Sequence, residues 1–316
     1  MKILIYGAGV IGCTYGWQLS LAGNDITVLV KPGKKEIYQE QGIRIRCSDF
    51  RTGVRQITET VFYPQVVDKL DGRNDFEYII VAVGSHHLHE ILPVLSQSAG
   101  KAHILFFQNL WFREIEEITR HLSSTQYFFG FPFMAGGGKN GNSIEAIISG
   151  SKYSKTMLGE IDGATSDRAN RIASEMEKAG MKPFISGQII NWLIPHFAFI
   201  AAISAGAIKA GGTIRNLLMD KQVLKDSVKA IREGFSICEK KGINPKKEKV
   251  NQLYYLPFFI CLPIMKKIFG NEDMSMMFDK YLGQSADEVR EMLKVIMDDA
   301  EPNKMPYLED LYKHLF

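Results

Sequence analysis

Short apolar runs alternate with longer segments of helical periodicity in the first third of the chain. The apolar runs are predicted to be strands, at residues 3–6, 26–30, 78–83 and 103–107. A helical pattern follows the first run and extends to Leu21. Strands that alternate with helices in this way are typical of a parallel sheet covered by helices. The region therefore predicts an α/β fold.

Further strand-like and helical patterns extend this first region. Residues 42–62 contain Ile43, Ile45 and Ile57 among polar residues on both sides of a turn, which indicates two extended segments added antiparallel to the sheet. Two more strand-like pieces lie within residues 143–158, a helix within 165–180 and a last strand within 181–185. We therefore expect the first domain to end near Gly187.

The remainder of the chain has helical periodicity almost throughout. Helices are predicted at residues 189–210, 222–241, 252–269, 286–298 and 306–316. A chain of 316 residues also exceeds the size at which one hydrophobic core remains efficient. We therefore predict two domains, an α/β domain of residues 1–187 with a Rossmann-type dinucleotide-binding fold and an all-helical domain of residues 188–316.

One helical segment is apolar enough to raise the question of a membrane span. Residues 191–208 contain no Lys, Arg, Asp or Glu, and their length is near the lower limit for a spanning helix. The segment also contains Pro195, His196 and Ser204, and its flanks lack the features of a membrane interface. We expect a core helix that is apolar on all sides because it is covered on all sides.

Composition and charge narrow the class of protein. Hydrophobic residues make up 46% and charged residues 23%, which is ordinary for a soluble globular protein. The net charge of +3 arises from 38 basic and 35 acidic side chains, so no general field attracts nucleic acid. The N-terminal apolar run is too short for a signal sequence. The four cysteines are widely separated in the sequence and form neither a CxxC pair nor a secreted-type framework; they are Cys13, Cys47, Cys238 and Cys261. We expect a cytoplasmic protein with no metal, membrane or nucleic-acid site.

A glycine motif follows the first predicted strand and begins the first predicted helix. It consists of Gly7, Ala8, Gly9, Val10, Ile11 and Gly12. In a strand–turn–helix context the first glycine allows the tight turn and the second lets a pyrophosphate approach the backbone. The third allows close packing of helix on strand, and the helix N-terminus attracts the phosphates. The motif predicts a dinucleotide site.

The residue after the second strand indicates which dinucleotide binds. Lys31 stands about twenty residues after the last motif glycine, where NAD-binding proteins place an acidic residue against the ribose 2′-hydroxyl. A cation at this position pairs instead with the 2′-phosphate of NADP. We predict NADP as the cofactor, with Lys31 as the principal contact. The alternative is that Lys31, Lys34 and Lys35 only form a basic loop.

The order and spacing of these motifs resemble the ketopantoate reductase family over nearly the whole chain. The matching features are the glycine motif, Lys31, Val81-Ala82-Val83, Phe107-Gln108-Asn109, Gly180-Met181, Trp192, Gly211-Gly212 and Pro306-x-Leu-x-x-Leu. The resemblance implies NADPH-dependent reduction of ketopantoate (2-dehydropantoate), or a related small 2-oxo acid, in a cleft between the domains. Pantothenate biosynthesis would be the setting.

The resemblance also implies roles for individual residues. Asn109 is expected beside the nicotinamide and the substrate, while Val83 and the backbone near Ala135 are expected to contact the cofactor. An ungapped count places Ser275 as a substrate-binding serine and Asp287 at the family's glutamate, with Glu288 beside it, so Asp287 and Asn109 are expected to be catalytic.

Several positions depart from the family pattern. The lysine that serves as general acid is replaced by Ile194, and two asparagines farther along the same helix are replaced by Ala198 and Ala202. A lysine that commonly follows the strand ending at Val83 is replaced by Gly84. The usual proton donor is therefore missing.

His196 is the nearest titratable replacement for that donor. A histidine that titrates near neutral pH can donate a proton to a reduced carbonyl. Two residues along a helix correspond to about 200° of rotation, so His196 points away from the Ile194 direction. We consider His196 as a catalytic acid against the alternative of a hydrogen-bonded core or interface histidine.

Three functions remain open from the sequence. The first is the NADPH-dependent reductase, the second is a non-catalytic NADP-binding redox sensor, and the third is a related opine-type dehydrogenase that uses His196. Residues 254–259 contain an aromatic cluster that either lines a substrate pocket or forms core or dimer interface. A homodimer through the helical domain is compatible with this pattern.

Overall fold

The structure, a computed structural model, describes residues 1–284, 286–301 and 303–315. The chain forms two compact units, Met1–Ile189 and Ile190–Phe316. The first unit contains two sheets with covering helices, and the described part of the second is helical. The predicted α/β class with a helical C-terminal region is therefore confirmed.

The main sheet of the first unit has eight strands. Their bounds are β1 Lys2–Tyr6, β2 Asp25–Leu29, β5 Gln65–Val67, β6 Tyr78–Val81, β7 His103–Phe107, β8 Tyr127–Pro132, β11 Thr156–Gly159 and β12 Pro183–Ile185. The order across the sheet is β12-β11-β8-β7-β6-β1-β2-β5. Six neighbouring strands of this sheet are parallel to one another; they are β5, β2, β1, β6, β7 and β8. This is the strand order of a dinucleotide-binding doubly wound sheet, whose ligands bind at the carboxyl edge where the order reverses.

A second sheet of four strands contains the segment that was predicted to extend the main sheet. Its strands are β3 Ile43–Asp49, β4 Gln56–Phe62, β9 Ala135–Asn140 and β10 Ser143–Ile148. Strands β3 and β4 pair antiparallel as predicted, but β3 then pairs in parallel with β10 rather than with the main sheet. The prediction of an addition to the main sheet was wrong because strand alternation does not specify a distant pairing partner.

Five helices belong to the first unit and eight to the described part of the second. In the first they are α1 Val10–Leu21, α2 Lys35–Gln41, α3 Leu88–Ser98, α4 Phe112–His121 and α5 Asp167–Lys178. In the second they are α6 Ile189–Lys209, α7 Ile214–Met219, α8 Lys221–Lys240, α9 Lys249–Gln252, α10 Phe258–Phe269, α11 Glu272–Leu282, α12 Ala286–Asp298 and α13 Pro306–Leu315. Phe316, the last residue of the predicted terminal helix, lies outside the described residues.

The predicted helix over residues 252–269 is divided in two. Leu256 is extended, with ψ of 156°, and α10 begins only after Pro257. A proline disfavours helical geometry at the residue before it, which explains the break. In the aromatic cluster, Tyr254 is buried against Phe199 and Phe235, whereas Phe259 is 78% exposed.

Helix α6 is the apolar segment that raised the membrane question. By length and composition it is able to span a bilayer, but 78% of its apolar window is buried inside the protein. Its Phe199 ring packs against Tyr254 and Phe269 of the same unit. This burial is what a core helix requires.

Candidate functional site

The glycine motif forms a tight turn at the carboxyl end of β1, in the middle of the main sheet. Gly7 has φ of +113°, a conformation that side-chain-bearing residues rarely adopt, and its amide donates to the carbonyl of Leu29 (3.3 Å). A Cβ on Gly7 would lie 2.5 Å from Cγ1 of Val83, at the end of the neighbouring strand. The turn is therefore held between β2 and β6, and only glycine fits at its first position.

The other two motif glycines have different surroundings. A Cβ on Gly12 would lie 2.3 Å from the carbonyl oxygen of Gly7 and 2.7 Å from Ile5 Cγ2, so α1 rests directly on the turn and on β1. A Cβ on Gly9 would meet its nearest described neighbour, the carbonyl oxygen of Ala82, at 3.7 Å. Gly12 is therefore needed for packing, whereas Gly9 leaves space in front of the helix.

The N-terminus of α1 faces that space. Gly9 is the capping residue in extended conformation, and within the described chain no side chain caps the helix. Its first turn, which contains Val10 and Ile11, also has no acidic residue. The unsatisfied amides and the helix dipole make this end a favourable site for an anion such as a pyrophosphate.

A cavity of about 1040 Å³ lies along this edge of the sheet, within the first unit. It is lined by Gly7, Ala8 and Gly9 of the turn, by residues that follow β2 and β6, and by part of α3. Val83 and Gly84 contribute to the wall beside the turn. The cavity therefore lies at the topological switch point, where doubly wound sheets bind their ligands.

The charges around the cavity favour an anionic ligand. Four lysines line it, and the two lining carboxylates are Asp68 and Glu90; the lysines are Lys31, Lys34, Lys69 and Lys139. Lys31 and Lys34 are exposed and close the loop after β2, where the amide of Lys34 donates to the carbonyl of Lys31 (3.1 Å). The sequence singled out Lys31, but it gave no signal for Lys69 or Lys139, which lie far along the chain.

Asn109 lies just beyond the carboxyl end of β7, two strands from the turn, and is half-buried. The preceding Gln108 is 3% exposed, and its side-chain amide donates to the carbonyl oxygen of Val83 (2.9 Å). This bond joins the ends of β6 and β7. Ala135 is buried at the start of β9. The described residues that line the cavity include neither Asn109 nor Ala135. Their predicted cofactor contacts stay predictions.

In the second unit, the position that the resemblance assigns to the family's lysine is part of a helix packing surface. Ile194 is 1% exposed, and Ala198 and Ala202 are equally buried. A Cβ on Gly234 of α8 would lie 2.9 Å from Ala198 Cβ, so the two helices approach closely at that point. Of these three positions, which are polar in the family pattern, Ala198 therefore packs against α8.

The structure argues against His196 as a proton donor. Its ring stacks on Trp192 (4.5 Å between ring centroids) and contacts Phe199 (5.8 Å). Desolvation lowers the pKa of His196 to about 3, so the imidazole is neutral near neutral pH and has no readily transferred proton. His196 is half-buried, and these surroundings favour the alternative of a core or interface histidine; its predicted role as a catalytic acid stays a prediction.

The two polar residues predicted near the C-terminus are engaged locally. Ser275 on α11 donates its hydroxyl proton to the carbonyl of Glu272 (3.1 Å). The side chain of Asp287 is 96% exposed and pairs with Arg290 (2.6 Å) on α12, which argues against a catalytic role. Its neighbour Glu288 instead hydrogen-bonds Tyr281, and desolvation, followed by the charge and hydrogen bond of Glu288, raises the pKa of that phenol.

A family model described as ketopantoate reductase PanE/ApbA matches residues 3–163, about half of the chain. The chain belongs to this family. The resemblance inferred from the sequence is thereby confirmed, and the matched segment contains the whole glycine turn, the lysine loop and Asn109. Ketopantoate reductases are oxidoreductases, so the family also supports an enzymatic class for the chain.

Two named proteins are similar in sequence to this ketopantoate reductase family member. An uncharacterized oxidoreductase, YkpB of Bacillus subtilis (strain 168), is 24% identical over 206 residues, which are 64% of this chain and 63% of that protein. A 2-dehydropantoate 2-reductase of Pyrococcus abyssi (strain GE5 / Orsay) is 23% identical over 250 residues, 77% of this chain and 75% of that protein. The match with YkpB spans less than two thirds of that relative's length.

Solved structures share the fold over the full chain. D-Mandelate dehydrogenase, solved with NADH and anilino(oxo)acetate, has a TM-score of 0.76 at 14% identity and covers 100% of this chain and 97% of its own. The 2-dehydropantoate 2-reductase from Methylococcus capsulatus has a TM-score of 0.70 at 19% identity, covering 100% and 96%. At these identities the similarity concerns the fold of the ketopantoate reductases and not a particular substrate.

Proposed function

We propose that this ketopantoate reductase family member is an NADP-dependent oxidoreductase that reduces a small 2-oxo acid, with ketopantoate as the first candidate. One observation carries the proposal. The glycine turn and the uncapped end of α1 open onto a cavity of about 1040 Å³ whose described wall contains four lysines and two carboxylates. A dinucleotide phosphate is the ligand that this combination of shape and charge favours.

The residues of the first unit fit such a cofactor. The amides at the start of α1 would hold the pyrophosphate, in the space that Gly9 leaves open. Lys31 and Lys34 would pair with a 2′-phosphate at the end of β2, which favours NADP over NAD. Asn109 and Val83 would border the nicotinamide end. When bound, a reduced nicotinamide supplies the hydride for the reaction.

The protein must also stabilise the charge that develops on the carbonyl oxygen during reduction. We propose that the side-chain amide of Asn109 donates a hydrogen bond to this oxygen. Asn109 directly follows β7, the strand next to β6, so its position is fixed by the sheet. A positioned donor of this kind contributes roughly 100- to 1000-fold in rate. We propose that the proton donor is a group other than Ile194, which is apolar, and other than His196, whose pKa is lowered by desolvation.

The test is the steady-state loss of NADPH absorbance with ketopantoate and the purified protein. NADH in place of NADPH tests the cofactor preference, and 2-oxo acids with aliphatic and aromatic side chains test the substrate. The aromatic arm is included because a structurally similar protein is a D-mandelate dehydrogenase. Turnover of ketopantoate with NADPH supports the proposal. Turnover of another 2-oxo acid alone would contradict the proposed substrate. Turnover with NADH alone would contradict the proposed cofactor.

A second candidate function is NADP binding without turnover, in a redox-sensing role. It is favoured by Ile194, which stands where the resemblance places the catalytic lysine, and by the desolvated His196. Calorimetric titration with NADPH separates the two candidates. Tight NADPH binding with no reduction of any tested 2-oxo acid would favour the sensor, whereas measurable turnover would reject it.

A further inference from the structure

The second sheet is placed directly against the glycine turn, through β9. A Cβ on Gly137 would lie 3.2 Å from Val10 Cγ2 on α1 and 1.9 Å from the carbonyl oxygen of Glu145. Gly137 also has φ of +131°, which favours glycine at this position. This close approach brings the end of β9, and with it Lys139, to the start of α1.

Lys139 is positioned there by two contacts of its side chain. Its ammonium group donates a hydrogen bond to the carbonyl oxygen of Ala8, the second residue of the glycine motif. It also lies over the ring of Tyr38, 5.4 Å from the centroid. Tyr38 is 6% exposed, and its hydroxyl donates to the carbonyl oxygen of Gly141 (3.3 Å), just beyond β9. All four residues line the same cavity.

We infer that Lys139 is a further cofactor-binding residue, whose ammonium group pairs with the pyrophosphate of the bound dinucleotide. The inference rests on the proposed function, because it deepens the assignment of the same cavity. A phosphate oxygen carries charge and is a stronger acceptor for an ammonium group than a neutral carbonyl such as that of Ala8. The flexible stem of lysine allows the group to move from one acceptor to the other without a change in β9.

This role differs from that of Lys31. Lys31 follows β2, where the adenosine ribose binds in doubly wound sheets, whereas Lys139 touches the glycine turn itself. NADPH and NADH share the pyrophosphate and differ only in the 2′-phosphate. Loss of Lys139 is therefore expected to weaken both cofactors equally, and loss of Lys31 is expected to change their ratio.

The experiment is calorimetric titration of the full chain with NADPH and, separately, with NADH. The variants are Lys139→Met, Lys139→Arg and Lys31→Met. Lys155→Met is the matched control, because Lys155 also lies over an aromatic ring, that of Phe184 (4.5 Å), but is not part of the described cavity wall. Thermal unfolding of each variant without cofactor shows whether the fold is retained.

We expect Lys139→Met to lower the affinity for NADPH and the affinity for NADH by the same factor. The loss of one charged hydrogen bond implies a factor of about 10 to 100. Lys139→Arg should restore most of the affinity, and Lys155→Met should leave it unchanged. Equal affinities in Lys139→Met and the unaltered protein would overturn the inference and leave the proposed function intact. Failure of the unaltered protein to bind either dinucleotide would overturn the proposed function and this inference with it.

Discussion

Ala198 and Gly234 mark a point of close approach between α6 and α8, since a Cβ on Gly234 would lie 2.9 Å from that of Ala198. Two turns along α6, a Cβ on Gly206 would lie 2.0 Å from Ser227 Oγ, so the two helices run antiparallel with small residues at both contacts. Ile194 precedes Ala198 by four residues and belongs to the same row of the helix. Ile194 and Ala198, which replace polar residues of the family pattern, are therefore both buried on one row of α6, and Ala198 packs against α8.

We predict that Ile194→Lys destabilises the protein. Ile194 is 1% exposed, and an unpaired ammonium group at a buried position costs about 3–5 kcal/mol or is neutralised by a lowered pKa. Urea denaturation of the variant measures the loss. Ile194→Met is the control, because a volume-conserving apolar exchange costs less than about 1.5 kcal/mol. Equal stability of the two variants, with a gain of NADPH turnover in the lysine variant, would show instead that the position is accessible to substrate.

We predict that His196 makes the stability of the protein depend on pH. The pKa of His196 is about 3 in the folded protein, below its ordinary value of 6.5, so only the unfolded chain binds the proton between these values. The free energy of unfolding should therefore decrease as the pH falls from about 6.5 towards 3. In His196→Phe, which retains a ring beside Trp192, this contribution should disappear. Urea denaturation at several pH values measures both slopes.

The same variant tests the chemistry at His196. If the imidazole takes no part in proton transfer, NADPH turnover and its pH profile should be the same in His196→Phe and in the unaltered protein. Loss of one limb of the profile, together with an unchanged stability slope, would contradict the assignment of His196 as a core residue.

The first unit shows which parts of the site are accessible to sequence reasoning. The turn and Lys31 were predicted because strand, glycine motif and helix are consecutive in the chain. Lys139 was not, because it lies 131 positions from Ala8 and reaches it through the packing of β9 against α1. A strand pattern reveals which face is buried but not which distant strand will pair with it.

In the second unit, the sequence did not show which residues of a helix point to solvent and which point inward. An ungapped count chose Asp287, but a shift of one residue rotates a side chain by about 100° around the helix. Asp287 points to solvent, whereas Glu288 meets Tyr281. Similarly, the sequence could not show that desolvation would shift the pKa of His196.

We predict that the ion pair of Arg168 and Glu160 is required for the stability of the first unit. Their side chains are 9% and 6% exposed, and Arg168 also donates to the carbonyl oxygen of Tyr127 (2.7 Å) at the start of β8. Arg168→Met leaves the carboxylate of Glu160 buried without its charged partner, although Ser166 still donates to it, and this should cost about 3–5 kcal/mol. Chemical denaturation of Arg168→Met and of the double variant Arg168→Met/Glu160→Gln measures it. The double variant should recover part of the loss, and no recovery would show that the arginine acts mainly through its bonds to backbone carbonyls.

We predict that alanine at Gly12 lowers the stability of the protein, whereas alanine at Gly9 lowers its affinity for the cofactor. In Gly12→Ala the new Cβ would lie 2.3 Å from the backbone oxygen of Gly7. The turn should therefore be distorted, and the free energy of unfolding should fall by about 1–3 kcal/mol.

In Gly9→Ala the new Cβ meets the carbonyl oxygen of Ala82 at an ordinary 3.7 Å, and φ of −78° suits alanine, so the fold should be retained. The methyl group would nevertheless stand where the pyrophosphate approaches α1, and NADPH affinity should fall about 10- to 100-fold. Thermal unfolding and calorimetric titration of both variants separate the two effects. A Gly9→Ala protein that binds NADPH like the unaltered chain would show that the pyrophosphate does not bind at this end of α1.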